Sequence, residues 1–270
     1  ALRELIGEER IMLPNLYSFR YPMPFHQFDV LGKEHWVAPT GWLMQSFRAL
    51  GRHKIVTQLP AYEDAATDFL RQLLLYDVFP GGYARRTGDP PVGMRADYRA
   101  LIPWLRLLHR LRWEPVTEAT AAEKGIRVER YGAAPGPIAF VLYSPYVGCK
   151  AHLTANADRL AIAPEAWCED PLDGEPLSWE RDGDLLTIEA GVQAGNVRLL
   201  IVGDAQQQAQ VQVMMAADRA DDAAFCLREW RMRQGQEHPA KAKFDQRPEP
   251  LQPAWVSDAK AAMTGDEPSI

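Results

Sequence analysis

Cysteine is scarce in this 270-residue chain, which has only Cys149, Cys168 and Cys226. They are odd in number and lack the close pairing of a zinc site or a redox motif, so at most one disulfide can form and none is required. That leaves the redox compartment open. Basic residues are outnumbered, 30 against 36 acidic ones, for a formal net charge of −6. Without a global basic bias, nucleic acid is not an expected partner. No apolar run approaches the ~20 residues that a membrane-spanning helix needs. The opening "ALRELIGEER" lacks the basic-then-apolar order of a signal peptide, so any leader is expected to have been removed. No Gly-x-Ser-x-Gly occurs, which excludes a nucleophile elbow of that pattern. "GGYARRTGDP" lacks both the Gly-Lys-Ser/Thr ending of a phosphate loop and a strand before it. Around His26, His35 and His53 no carboxylate or cysteine repeats at ligand spacing, so they read as framework groups, and no metal site is expected.

What is present is the balance of a globular protein, 47% hydrophobic and 24% charged, long enough for one large domain or two modest ones. The pattern divides the chain into residues 1–118, 119–216 and 217–270. In the first part short apolar runs alternate with helical ones. "RIMLPNLY" predicts a strand, "SFRYPMPFHQFDVLGKEHWVAPT" a loop, "GWLMQSFRAL" a short helix and "KIVTQL" a buried strand. "YEDAATDFLRQLLLYDVF" repeats apolar residues at three- and four-residue spacing with acids in its first turn, which predicts a helix. Asp77 at its end reads as a cap or turn residue. A second helix is predicted from about Asp97 to Arg112, with Pro103 marking its first turn or kinking it. Buried-type strands separated by amphipathic helices imply an α/β layer with parallel strands, because a parallel crossover needs a covering helix.

Past Thr120 the period drops to two. "GIRVERYG", "IAFVLYSP", "KAHLTANA", "LSWERDGDLLTIEA", "NVRLLIV" and "VQVMM" predict the short strands of an antiparallel β-sandwich. Asp182-Gly183 predicts a two-residue hairpin turn. Leu186, Ile188 and Ala190 then share one face. The third part is expected to hold one helix around "DDAAFCLREWRMRQ" and an extended or partner-bound polar tail.

"RADYRALIPWLRLLHRLRWEPVTEAT", followed by "VERYG" and spaced strands ending in "NVRLLIV", resembles the end of a (β/α)-barrel glycoside hydrolase passing into its C-terminal β-sandwich. The resemblance rests on Trp113 to Thr117 and Val128 to Gly132 and covers roughly residues 10–203. It implies a TIM-type barrel, a carbohydrate substrate, hydrolysis without a cofactor, and a secreted or periplasmic setting over an internal one. A complete barrel takes about 250 residues, and the α/β part here has little more than a hundred. The resemblance therefore implies the last three or four strands. Either another chain or an upstream segment completes the barrel, or the chain is a reduced relative without a closed one; the first is favoured.

In such barrels the ligand groups follow strand C-termini. Glycoside hydrolysis needs a proton donor and a second carboxylate. Glu34, flanked by His35 and Trp36, is the first candidate for a catalytic carboxylate, as the acid held protonated by a partly apolar setting, and Asp29 is the second candidate. Trp36 and Trp42 offer flat faces for a sugar ring, with His26 and Arg52 as further binding groups. The resemblance implies that the other catalytic carboxylate follows an earlier strand, outside this chain. The competing reading of Glu34 and Asp29 is an ordinary loop carboxylate paired with a base such as Lys33. A second function class is also open: a non-catalytic carbohydrate-binding or assembly subunit that docks on a partner polypeptide.

Overall fold

The computed structural model describes residues 30–33, 55–58, 66–80, 95–174 and 177–234. Three strands, β1 (Val30–Lys33), β2 (Ile55–Gln58) and β3 (Val78–Pro80), form a parallel sheet in the order β1-β2-β3. Helix α1 (Ala66–Tyr76) connects β2 to β3, and α2 (Arg95–Leu111) follows β3. The parallel α/β pattern expected of the first part is present, with two corrections. Val30–Lys33 pairs as a strand, although its glycine and flanking charges predict a loop; four residues are too few for periodicity to reveal. The second correction concerns Val78 and Phe79, predicted as the end of a helix. Asp77 adopts a φ of 52° and breaks the helix, and the residues after it pair with β2. The predicted strand over 10–17 and helix over 41–50 lie outside the described residues.

Nine strands follow: β4 (Trp113–Glu114), β5 (Ala119–Ala121), β6 (Arg127–Tyr131), β7 (Ile138–Tyr143), β8 (Cys149–Asn156), β9 (Trp167–Glu169), β10 (Ser178–Asp182), β11 (Leu185–Val192) and β12 (Val197–Gly203). They form a four-stranded sheet, β10-β11-β8-β5, and a five-stranded sheet, β4-β6-β7-β12-β9. Every pair within them is antiparallel, as the period of two predicts. Between the sheets lies a core of Phe140, Leu142, Leu153, Leu186, Ile188 and Leu200 with their neighbours.

The five-stranded sheet also buries its outer face. Ala139, Val141, Leu199 and Ile201 alternate with the core residues and are fully buried, and α1 packs against β7 and β12 while α2 packs against β7. β7 and β12 are accordingly apolar at nearly every position, the signature of a strand covered on both sides. α1 contributes Leu73, Leu74 and Leu75, and α2 contributes Leu101, Leu105 and Leu108, all buried. Pro103 lies in the interior of α2, not its first turn, at the cost of one helical hydrogen bond.

Two further readings shift. The β10–β11 hairpin pairs Asp182 with Leu185, so its two loop residues are Gly183 and Asp184, one position later than predicted. Gly183 takes a φ of 59°, the positive value that a primed turn demands at its first loop position. "VQVMM", predicted as a strand, lies within helix α3 (Ala205–Gln234). A capping box starts that helix. Asp204 Oδ1 accepts from Gln207 N and Gln207 Oε1 accepts from Asp204 N, both at 2.8 Å. Once nucleated, the Gln-, Ala- and Met-rich run outweighs two β-branched valines. The stretch from residue 210 onward belongs to a second compact unit, in which Val211, Met215, Ala223 and Leu227 are buried at helical spacing. Cys149 and Cys168 are free thiols.

Candidate functional site

In the parallel sheet, Lys33 pairs with Gln58 and Gln58 with Pro80, so all three strands end in register on one edge. This is the edge from which a parallel α/β layer sends loops toward a ligand, because crossover helices return the chain to the opposite edge. Glu34 is the next residue in the sequence after Lys33. Asp29, Glu34, His26, Trp36, Trp42 and Arg52 all lie outside the described residues.

At the opposite edge, where β3 begins, Asp77 Oδ2 stands 2.9 Å from His109 Nδ1. Asp77 is buried at the α1–β3 turn and His109 lies in the last turn of α2, its ring edge-on to Phe79 at 5.6 Å. The hydrogen bond to Asp77 raises the imidazole pKa above its ordinary value, against desolvation and the Arg112 charge, which lower it. The pair ties α2 to the turn before β3. An Asp interrupting a leucine-rich helix is the sequence signal that could have marked it.

The segments that carried the family resemblance meet. Trp113 and Glu114 in β4 pair with Tyr131 and Arg130 in β6. Trp113 Nε1 donates to Glu129 Oε2 at 2.7 Å. Arg130 donates from Nε and Nη2 to Val116 O, at 3.1 and 2.8 Å, and from Nη1 to Gly132 O at 2.6 Å. Fully buried Tyr131 sends its hydroxyl to Leu74 O and Leu75 O, at 3.2 and 3.0 Å, at the end of α1. Gly132 has a φ of 88°, and a Cβ there would strike Pro137 O. "WEPVT" and "VERYG" are thus the joint between the α/β layer and the sandwich. Their chemistry is structural.

A second tie uses charge. Arg71 of α1 pairs with Asp173 at 3.0 Å, Asp173 with Arg198 at 3.2 Å, and Arg198 with Asp170. Asp170 also accepts from Leu172 N and Asp173 N. Burial is the larger influence on Asp170 and raises its carboxyl pKa despite the adjacent guanidinium. On the outer face of the four-stranded sheet, His152 contacts Glu123 at 2.6 Å through Nδ1 and Glu189 at 3.2 Å through Nε2. The Glu123 hydrogen bond raises the His152 pKa. Among the described residues no group of three His, Cys, Asp or Glu side chains is arranged to hold a metal ion, and no helix is long and apolar enough to cross a membrane.

No protein-family model and no curated protein matches this chain. Among solved structures it is similar to a GH27 β-L-arabinopyranosidase from Geobacillus stearothermophilus, with a TM-score of 0.41 and 10% identity over 67% of this chain and 46% of that one. It is also similar to an α-fucosidase from Thermotoga maritima, with a TM-score of 0.31 and 13% identity over 65% and 52% of the two chains. An α-L-fucosynthase from the same organism gives 0.30 and 13% over 65% and 51%. The chain spans about half the length of the structures it matches.

Proposed function

We propose that this chain is the C-terminal part of a (β/α)-barrel glycoside hydrolase together with its β-sandwich, acting on an oligo- or polysaccharide by carboxylate acid/base chemistry. The observation that carries the reading is the parallel sheet whose strands end in register at Lys33, Gln58 and Pro80, joined directly to an antiparallel sandwich. In this reading Glu34, one residue beyond β1, protonates the leaving oxygen. Asp29 is the alternative carboxylate. Trp36 and Trp42 stack on the sugar, and His26 and Arg52 bind its hydroxyls. The second catalytic carboxylate follows an earlier strand, supplied by an upstream segment or a partner polypeptide. Glu34→Gln should leave the thermal midpoint unchanged and lower hydrolysis of oligosaccharides, whose alkoxide leaving groups need protonation, by roughly 10²–10⁴-fold. Undiminished turnover would remove Glu34 from the acid role.

A second reading, a non-catalytic carbohydrate-binding or assembly subunit docked on a partner, draws support from the strand count: the described residues hold three parallel strands where a barrel has eight. It predicts no hydrolysis of any glycoside, with Trp36→Ala weakening sugar affinity by about 1–3 kcal/mol. Sizing the native material decides whether a second polypeptide accompanies this one.

A further inference from the structure

Two connections leave one end of the sandwich side by side, residues 144–148 between β7 and β8 and residues 193–196 between β11 and β12. Neither carries an ionisable group apart from the phenol of Tyr146. The two are braced together. Gly195 N donates to Ser144 O at 2.7 Å, Ser144 and Ala194 form a parallel bridge, and Ser144 Oγ donates to Val147 O. Gly148 lies so close that a Cβ on it would sit 3.5 Å from Ala194 N. From α1, Gln72 Nε2 donates to Gly195 O at 3.3 Å. On this frame Tyr146 is 87% exposed and Val147 66% exposed, with Gln193 exposed on the neighbouring loop.

The charges nearest in sequence and register stand on the strands, not on these loops: Arg127, in register with Tyr143, donates to the neutral Tyr76 Oη at 3.2 Å, and Lys150 is paired with Glu189. A charged ligand would find no free counter-charge on these loops. A flat amphipathic ring on a neutral loop, with an exposed amide on the adjoining one, instead suits a ligand with one apolar face and a rim of hydroxyls. We propose that Tyr146, Val147 and Gln193 form a surface binding site for a neutral saccharide. The Tyr146 ring stacks on the pyranose face and the Gln193 amide bonds its hydroxyls. The ligand class rests on the carbohydrate-active reading above; the site itself uses none of the six residues assigned to the barrel loops.

The test is affinity electrophoresis of the full chain, native and variant, through gels containing dextran, xylan, galactan or arabinan, with aryl-glycoside hydrolysis measured in parallel. At least one polysaccharide should retard the native protein. Tyr146→Ala should weaken that retention about tenfold, Tyr146→Trp should keep it, and Glu34→Gln should match the native protein. Tyr146→Ala should melt with the native chain, since the ring is exposed. Retention unchanged by Tyr146→Ala overturns the site, as does migration unaffected by every gel. A Tyr146→Ala variant that loses only self-association in sedimentation also overturns it, marking the tip as a protein contact. Hydrolysis without Tyr146-dependent retention defeats this site alone. Tyr146-dependent retention, with no hydrolysis even when the polypeptide that completes the barrel is present, supports the site and defeats the catalytic reading.

Discussion

The two sheets of the sandwich share one core but face different surroundings. The four-stranded sheet shows the pattern of a half-buried sheet: Leu186, Ile188 and Ala190 point inward, while Thr187 and Glu189 point out beside Thr154 and His152. The five-stranded sheet has no such polar side over β7 and β12, because α1 and α2 cover it. What looks like one antiparallel module is therefore, on one face, the seat of the α/β layer. The lesson is that an uninterrupted apolar strand such as "IAFVLY", in a region otherwise alternating, announces a second layer.

The contrast is broken most forcefully by placing the same charge on each outer face. Val141→Lys puts an ammonium under the helices without a partner and should cost about 3–5 kcal/mol, enough to unfold a marginal domain. Thr187→Lys lands opposite Glu180 on the open face and should change stability by no more than about 0.5 kcal/mol. Chemical denaturation of both variants measures the gap; equal effects would mean the helices do not seal the first face.

A smaller effect tests the joint. Tyr131→Phe keeps the packing but removes the donor to Leu74 O and Leu75 O, and should cost about 1–3 kcal/mol in the same assay. No loss would mean that those carbonyls find other donors.

The smallest concerns pH. His109 has a folded-state pKa above the ordinary 6.5, through its bond to Asp77. Its contribution is therefore complete below about pH 6.5 and fades as the pH rises through the folded value. Thermal midpoints should fall modestly across that window in the native chain, and His109→Gln should flatten the fall. A slope unchanged by His109→Gln would assign it to other groups.

The sandwich was legible because its strands are long and bounded by turn residues; β6, β7, β8 and β10 to β12 all lie where the alternation put them. β1 and β9 were not, being four and three residues long. "VQVMM" misled because its alternation is real. What overrode it was the Asp204–Gln207 cap just upstream, a local start signal stronger than two valines. The charge tie between Arg71 and Asp173 joins residues 102 positions apart, and no pattern within a window reveals such a pairing. The carboxylates and aromatics assigned to the sugar site were chosen by residue type and position after a strand, and their geometry lies beyond the described residues.

The Tyr131 hydroxyl reaches back 57 positions to close the end of α1, and that helix also rests on β12, the last strand of the sandwich. On the ribosome α1 emerges long before either partner. Until Gly203 clears the exit tunnel the seat of that helix on β7 and β12 is incomplete, so the nascent chain passes through an interval in which chaperone binding competes with aggregation. Slowed translation ahead of β12 should lengthen that interval and lower the yield of folded protein, and a pause placed after β12 should not.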